Sequence, residues 1–272
     1  MTGTLPLSVA IVCRDNGATI GRTLESVAGW ASEIVALDSG STDGTIPLLE
    51  RFGARVERVE WRGHIRTKQM ALERCSRPWA LSLDSDESVT PELRASIERA
   101  LQESDDGVGG FEVNRKVWWA GAYLEHAWQP EWRLRLVRAG CAAWTGVDPH
   151  DRLEMLPGGA AARVERLAGD LRHDAFADLS EFFDKQVRLS RIAARALHEQ
   201  GRRGSAWALA TRPAAAWLKQ VALRGAWRDG WRGWCAASAV ACAALMKHAM
   251  LIERTAGGGD GAQPRPGEDG AR

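Results

Sequence analysis

The sequence predicts an α/β protein, a three-layer sandwich around a mostly parallel sheet, followed by a helical, amphipathic extension. Three observations predict it. Apolar runs of strand character alternate with amphipathic segments from Leu5 to Leu101. The runs Leu7–Cys13 and Trp79–Leu83 are continuously apolar, as strands buried on both faces are. Polar clusters follow the first, second and fourth of these strands, at Arg14–Asn16, Asp38–Asp43 and Asp84–Glu87. In open α/β sheets the ligand site lies at the carboxyl ends of the strands.

The elements follow in order. Leu7–Cys13 is the first strand, and Thr19 to Trp30 reads as a helix with Ile20, Leu24 and Val27 on one face. Glu33–Leu37 is the second strand and runs into Asp38-Ser-Gly-Ser-Thr-Asp43-Gly-Thr45, a loop of turn formers and helix caps. A helix through Leu48, Leu49 and Phe52, a strand Ala54–Val59 and a helix Arg66–Cys75 lead to the fourth strand, Trp79–Leu83. Ser88-Val-Thr90-Pro91-Glu92 is a helix start, and the helix it opens runs to Leu101. Gly109–Trp119 has strand character. Trp132–Arg138 alternates as a half-exposed strand with Arg133 and Arg135 on one face. Gly146–Asp151 and Gly169–Asp174 read as loops, and a histidine beside an acid, as in His150-Asp151 and His173-Asp174, is a candidate base or ligand or simply a surface pair.

Asp178-Leu-Ser-Glu181 starts a helix that runs to about Gly201. Beyond Gly204 the chain is rich in Trp and Arg. Trp227, Trp231 and Trp234 fall on one helical face, and Cys235–Met246 is an apolar helix stopped by Lys247 and His248. The organisation expected is a nucleotide-binding and catalytic domain over 1–176, a helical region over 177–254 and a disordered, Gly/Pro-rich tail over 255–272.

Composition narrows the function. The 272 residues carry a net charge of +1, so nothing draws the whole chain to nucleic acid. The charge is uneven, however: Glu181–Arg254 holds thirteen Lys and Arg against five Asp and Glu. Basic residues interleaved with Trp suit either a membrane interface or a helical pair packed on the core. No uninterrupted apolar run reaches about 18 residues, so no membrane span is expected. Five scattered cysteines, an odd number, fit buried free thiols in a reducing compartment. There is no Gly-Xaa-Gly-Xaa-Xaa-Gly after the first strand and no phosphate-loop lysine, which disfavours a dinucleotide or ATP site.

The chemistry concentrates at Asp84-Ser-Asp86. On a persisting strand, residues two apart share a face. Two carboxylates side by side repel unless a cation sits with them, and hard divalent cations take oxygen ligands and bridge to phosphates. The motif therefore reads as a metal–diphosphate site, against the plainer alternative of a solvated turn capping the next helix. Asp38 is placed either to accept from a nucleoside or to close its own turn.

Together, Ser8-Val-Ala-Ile-Val-Cys-Arg-Asp-Asn16, Asp38–Thr45 and Leu81-Ser-Leu-Asp-Ser-Asp-Glu87 resemble the family 2 glycosyltransferases of GT-A (Rossmann-like) fold. Gln129-Pro-Glu-Trp-Arg-Leu-Arg-Leu-Val-Arg138, Val147-Asp-Pro-His-Asp151, Leu171-Arg-His173 and the Trp/Arg-rich segment ending Leu245-Met-Lys-His look like the bacterial lipopolysaccharide-core β-glucosyltransferase group. The resemblance covers roughly residues 5–254. It implies inverting transfer of a glucose-like sugar from a nucleotide-sugar donor, UDP-linked, with Mg²⁺ or Mn²⁺ as cofactor.

By the same resemblance Asp86 is the principal metal ligand, Asp84 contacts the ribose or the metal, and His173 is an additional ligand. Arg14, Asn16, Asp38, Lys68 and Ser85 line the donor pocket. Inversion needs a base on the far side of the donor from Asp86; Asp151, where relatives tend to carry His-Glu, is the first choice and Glu131 the second. The implied acceptor is a lipopolysaccharide core or related envelope glycan, which makes the enzyme cytoplasmic and peripheral on the cytoplasmic face of the inner membrane. Two other readings compete: a phosphotransferase or phosphatase using Asp84 and Asp86, and a non-catalytic membrane-surface protein. The first normally places Asp-Xaa-Asp after the first strand, and the second leaves the strand-end clusters unexplained.

Overall fold

The computed structural model describes residues 4–147, 150–158 and 161–257. The chain divides into two compact units, Met1–Tyr123 with Pro130–Ala175, and Leu124–Gln129 with Phe176–Arg272.

The first unit is built on a mixed sheet. Four strands, β1 (Leu5–Cys13), β2 (Ala31–Asp38), β3 (Arg55–Arg58) and β4 (Trp79–Asp84), lie in the order β3-β2-β1-β4 and are parallel. Between them run α1 (Ile20–Val27), α2 (Thr45–Arg51) and α3 (His64–Glu73). The apolar runs that marked the strands are the core: Leu7, Val9 and Ile11 of β1 and Leu81 and Leu83 of β4 are buried with Ile20, Leu24 and Val27 of α1. Helix α1 ends at Val27, short of the expected Trp30. Gly29 takes a positive φ there, and the chain turns into β2 at Ala31.

Register fixes the site's edge. Cys13 pairs with Asp38 and Val12 with Asp84, so the ends of β1, β2 and β4 are level. Strand β8 (Trp132–Arg138) then pairs antiparallel with β4, and β6 (Val108–Trp119) antiparallel with β8. Beyond β6 lies β11 (Arg163–His173), parallel to it, with β5 (Glu87–Val89) antiparallel on its far side. β7 (Ala122–Tyr123) joins β6, and β9 (Ala142–Val147) and β10 (His150–Met155) form a separate hairpin. Helix α4 (Pro91–Glu103) is capped by the Thr90 side chain, as Thr-Pro-Glu anticipates.

Several expectations change. The helix start at Ser88 is preceded by the short strand β5, because Glu87–Val89 pairs with Leu171–His173 before Pro91 opens α4. His173 ends strand β11 instead of lying in a loop, and Asp151 lies in strand β10; Asp148 and Pro149 of that segment are outside the described residues. Strand β8 is central, paired on both edges, and the expected alternation of exposure does not hold along it: Arg135, Leu136 and Val137 are buried in succession.

The second unit is helical: α5 (Leu179–Glu199), α6 (Ala206–Leu218), a π-helical turn Lys219–Leu223, a 3-10 turn Ala226–Asp229 and α7 (Gly230–Ala256). Asp178 caps α5 through the Glu181 N–H. Trp227 belongs to the 3-10 turn, so only Trp231 and Trp234 of the expected trio lie on α7. Helix α7 runs past Lys247 and His248 to Ala256 because Leu251 continues its buried side. Contrary to the expectation of no span, the stretch Ala226–Ala256 is long and apolar enough to cross a membrane by length and composition. Of the tail expected to be disordered over 255–272, Thr255 and Ala256 belong to α7, and 258–272 lie outside the described residues.

Candidate active site

The site forms where β1, β2 and β4 end. The loop after β1 and the loop after β2 are tied together. The N–H groups of Asp15, Asn16 and Gly17 donate to Ser41 Oγ, Thr45 Oγ1 and Asp43 Oδ2 at 2.8–2.9 Å, and the Thr42 N–H donates back to Asp15 Oδ1 at 2.8 Å. Asp15 holds φ 52, strained for a non-glycine residue, and its two-way contacts with Ser41 and Thr42 fix it there. Asn16 Oδ1 accepts from the Arg14 N–H, and the Arg14 side chain is exposed at the rim. Asp38 is fully buried and accepts from the Gly40 and Ser41 N–H groups at 3.0 Å, closing its own turn. Of its two expected roles, this geometry is the turn; Asp43 caps the start of α2 separately, through the Thr45 N–H.

Asp84 and Asp86 part company. Strand β4 stops at Asp84, and Ser85 and Asp86 form a turn whose Ser85 carbonyl accepts from Thr23 Oγ1. Alternation therefore does not carry across the motif, and the two carboxylates find different partners. Asp84 Oδ1 meets Lys68 Nζ at 2.6 Å and its Oδ2 meets Arg135 Nη2 at 2.9 Å. Burial opposes its charge, but Arg135, Lys68 and Arg115 overcome that and hold the carboxyl well below the usual range. Asp84 is thus already neutralised by protein cations.

Beneath it lies a buried pair. Glu87 has no exposure and Arg135 is 4% exposed; Arg135 Nη2 reaches Glu87 Oε1 at 2.6 Å, while Glu87 Oε2 accepts from the Asp84 N–H at 3.0 Å. Arg115 adds a contact to Glu87 at 3.5 Å. Burying such charges is tolerated only when they are paired and hydrogen-bonded. Here the pairing holds Asp84 from both its backbone and its side chain.

Lys68, from α3, meets more than Asp84. Its Nζ also lies 2.7 Å from Asp151 Oδ2 and 4.6 Å from the Trp144 ring centroid. Burial opposes its charge, yet Asp84 and Asp151 outweigh burial and the neighbouring Arg135, and its pKa rises. Asp151 and Asp84 share one ammonium and are neighbours, so Asp151 is tied to the donor-side acid, an arrangement the sequence does not reveal. Glu131, the second candidate base, has both oxygens engaged: Arg115 and Arg133 reach Oε1 at 2.8 and 2.7 Å, and Arg115 Nε donates to Oε2 at 3.0 Å. Burial opposes its charge too, and the two arginines lower its pKa in spite of it, which makes Glu131 a weaker base.

Asp86 faces His173, whose Nε2 lies 3.5 Å from Asp86 Oδ2. The strands bring them there: His173 pairs with Glu87, and the Asp174 N–H donates to the Asp86 carbonyl at 2.9 Å. That side-chain distance is long for a hydrogen bond, and His173 Nδ1 is buried without a partner. A cation between them would be ligated by Asp86 Oδ2 and His173 Nε2, an oxygen–nitrogen pair that fits a divalent metal, while Nδ1 faces away from it. Among the described residues no three acids, histidines or cysteines gather as a complete cage. Further ligands would have to come from substrate or water, as is usual for metals at phosphate sites.

The residues missed by sequence reasoning are Glu87 in its buried role, Arg135, Arg115 and Trp144. Arg135 carried a signal, an arginine set between Leu134 and Leu136 in an alternating strand; Trp144 carried none.

Comparison with known proteins assigns the family. Residues 8–142 match the model for glycosyl transferase family 2. Over 259 residues the chain is 32% identical to the lipopolysaccharide core biosynthesis glycosyltransferase LpsC of Rhizobium meliloti (strain 1021), covering 93% of this chain and 94% of LpsC. The chain belongs to glycosyltransferase family 2. It is a glycosyltransferase, and its first unit has the family's GT-A type of α/β fold. It is also similar to an uncharacterized glycosyltransferase of Rickettsia typhi (strain Wilmington), at 24% identity over 91% of this chain and 87% of that one. Among solved structures, Staphylococcus aureus TarS 1–349 in complex with UDP-GlcNAc aligns over 68% of this chain and 65% of that chain, with TM-score 0.46 and 14% identity. Glucosyl-3-phosphoglycerate synthase from Mycobacterium tuberculosis, in complex with Mn²⁺, UDP and glucosyl-3-phosphoglycerate, aligns over 75% and 82%, with TM-score 0.43 and 18% identity.

Proposed function

We propose that this glycosyltransferase moves a glucose-like sugar, with inversion, from a UDP-sugar to a lipopolysaccharide core or related envelope glycan. The observation that carries the donor chemistry is the division of labour at the ends of β4 and β5. Asp84 is spoken for by Lys68 and Arg135, whereas Asp86 and His173 stand as an incomplete ligand pair. Asp86 and His173 would hold a divalent cation, which would supply charge neutralisation for a diphosphate leaving group. The acceptor class rests on the full-length likeness to LpsC.

The protein's own groups do the rest. Arg14 and Asn16 border the nucleoside end of the site, and the buried Glu87–Arg135 pair holds Asp84 in place. Lys68 keeps positive charge beside the donor and orients Asp151. Asp151 takes the proton of the acceptor hydroxyl. It is preferred to Glu131 because Glu131 is locked between two arginines, while Asp151 is held through one oxygen by Lys68.

The test is turnover of a UDP-sugar panel with and without Mg²⁺ or Mn²⁺, in wild type and Asp86→Ala. Metal-dependent turnover that Asp86→Ala abolishes is the expected result. Metal-independent turnover, or no binding of any nucleotide sugar, overturns the reading.

A further inference from the structure

Helix α7 of the second unit presents its outward residues as a stripe. Reading along the helix, Trp231, Trp234, Ser238, Cys242, Leu245 and Ala249 are exposed, at spacings of three and four that keep them on one face. None is charged. At about 1.5 Å per residue the stripe is roughly 27 Å long. Trp231 is 54% exposed, Trp234 44% and Leu245 46%. From the preceding segment Leu218 and Leu223 are exposed as well, and Trp217 packs on Trp234 with ring centroids 5.5 Å apart. A contiguous exposed apolar surface of this kind marks an interaction site.

The opposite side of α7 is protein interior. Gly233, Ala236, Ala237 and Ala239 are buried, and a Cβ at Gly233 would strike the Ala226 carbonyl. Ser190 of α5 donates to the Ala243 carbonyl at 3.3 Å. Helix α5 in turn exposes Arg188, Arg191 and Arg195. A helix packed against so charged a partner cannot pass through hydrocarbon with it.

We propose that this stripe beds into the head-group boundary of an anionic bilayer, with α7 lying in the membrane plane rather than crossing it. Charge complementarity names the occupant. The segment from Glu181 to Arg254 has thirteen basic against five acidic residues, and Arg212, Lys219 and Arg228 are exposed. Arg228 stacks over Trp227 at 5.3 Å and Arg232 over Trp231 at 4.8 Å, which places guanidinium groups beside indoles as an interface requires. Two copies of the chain meeting through this surface would bring like charges together.

The experiment is co-sedimentation of the full chain with phosphatidylglycerol-containing vesicles and with pure phosphatidylcholine vesicles. Binding is expected to the anionic vesicles, at least tenfold tighter than to the neutral ones, and alkaline carbonate should release it. Trp231→Ser with Trp234→Ser should weaken it tenfold or more while leaving UDP-sugar hydrolysis unchanged. Leu245→Gln, a milder single change, should weaken it in the same direction. No vesicle binding, equal binding to both lipids, retention after carbonate, or a dimer in light scattering that these substitutions dissolve would each overturn the proposal. Because the readout is vesicle binding, its failure is separate from failure of the transferase reading.

Discussion

Glu87 and Arg135 show how a site acid is placed by buried charges beneath it. With Glu87 wholly buried, its removal breaks the buried pair with Arg135, leaving Arg135 its contact with Asp84, and takes the acceptor from the Asp84 N–H. Glu87→Ala should cost about 3–5 kcal/mol in urea unfolding. Arg135→Met, which instead leaves Glu87 partly paired through Arg115, should cost less in stability yet weaken UDP binding by loosening Asp84. Calorimetric titration with UDP checks it, and unchanged affinity would sink the positioning role. Asp151→Asn should abolish transfer while sparing UDP binding, whereas Glu131→Gln should leave measurable transfer and lower stability. The reverse ranking would make Glu131 the base. The acids themselves were legible in the sequence because they interrupt apolar runs. Their partners were not. Lys68 and Asp151 are 83 positions apart, and Arg135 and Glu87 are 48 apart, and no local pattern encodes which charge finds which.

At the level of elements, strand and helix periodicity located β1, β2, β4 and α4 to within a few residues. It missed β11, because Arg163–His173 mixes charges with only Val164, Leu167 and Leu171 as apolar side chains of any size, and a Gly169. That strand exists because β6 and β5 pair with its two edges. Gly169 has φ +84 at the register shift, where an added Cβ would run into the Leu93 backbone of α4. Gly169→Ala should therefore destabilise by more than about 1 kcal/mol, read as a lower urea midpoint, and should disturb His173 four residues on.

In the second unit the decisive element is a loop. Asp229, at the start of α7, accepts from the Glu125, His126 and Ala127 N–H groups at 2.8–3.1 Å, and His126 Nδ1 lies 3.0 Å from it. Burial opposes the charge, but these donors lower its pKa. A depressed carboxylate contributes stability above its unfolded pKa of roughly 4, and that stability is lost as pH falls through the folded value. Thermal unfolding of wild type should lose stability between about pH 5 and pH 3 more steeply than that of Asp229→Asn. Parallel profiles would show that Asp229 does not contribute in this way.

For the molecule as a whole, two properties belong to two units. The proposed donor site lies at the strand ends of the first, and the uncharged Trp-bearing stripe lies on the second. Asp86→Ala should therefore lose turnover and still sediment with anionic vesicles. Joint loss of both, with the fold intact by circular dichroism, would show that the properties are not separable.

The family was read by resemblance to known motifs, whereas the α/β class, the parallel strand–helix order and the edge at which polar residues collect are written in the chain itself. These follow from hydrophobic periodicity and from acids at strand ends, both of which are local. The pairings came from the fold: Asp84 is neutralised by Lys68 and Arg135, Asp86 is left to His173, and Asp151 shares a cation with Asp84. Burial pattern dictates which faces turn inward. Charge pairing inside the fold depends on strand order and register, which bring together residues that the chain keeps far apart.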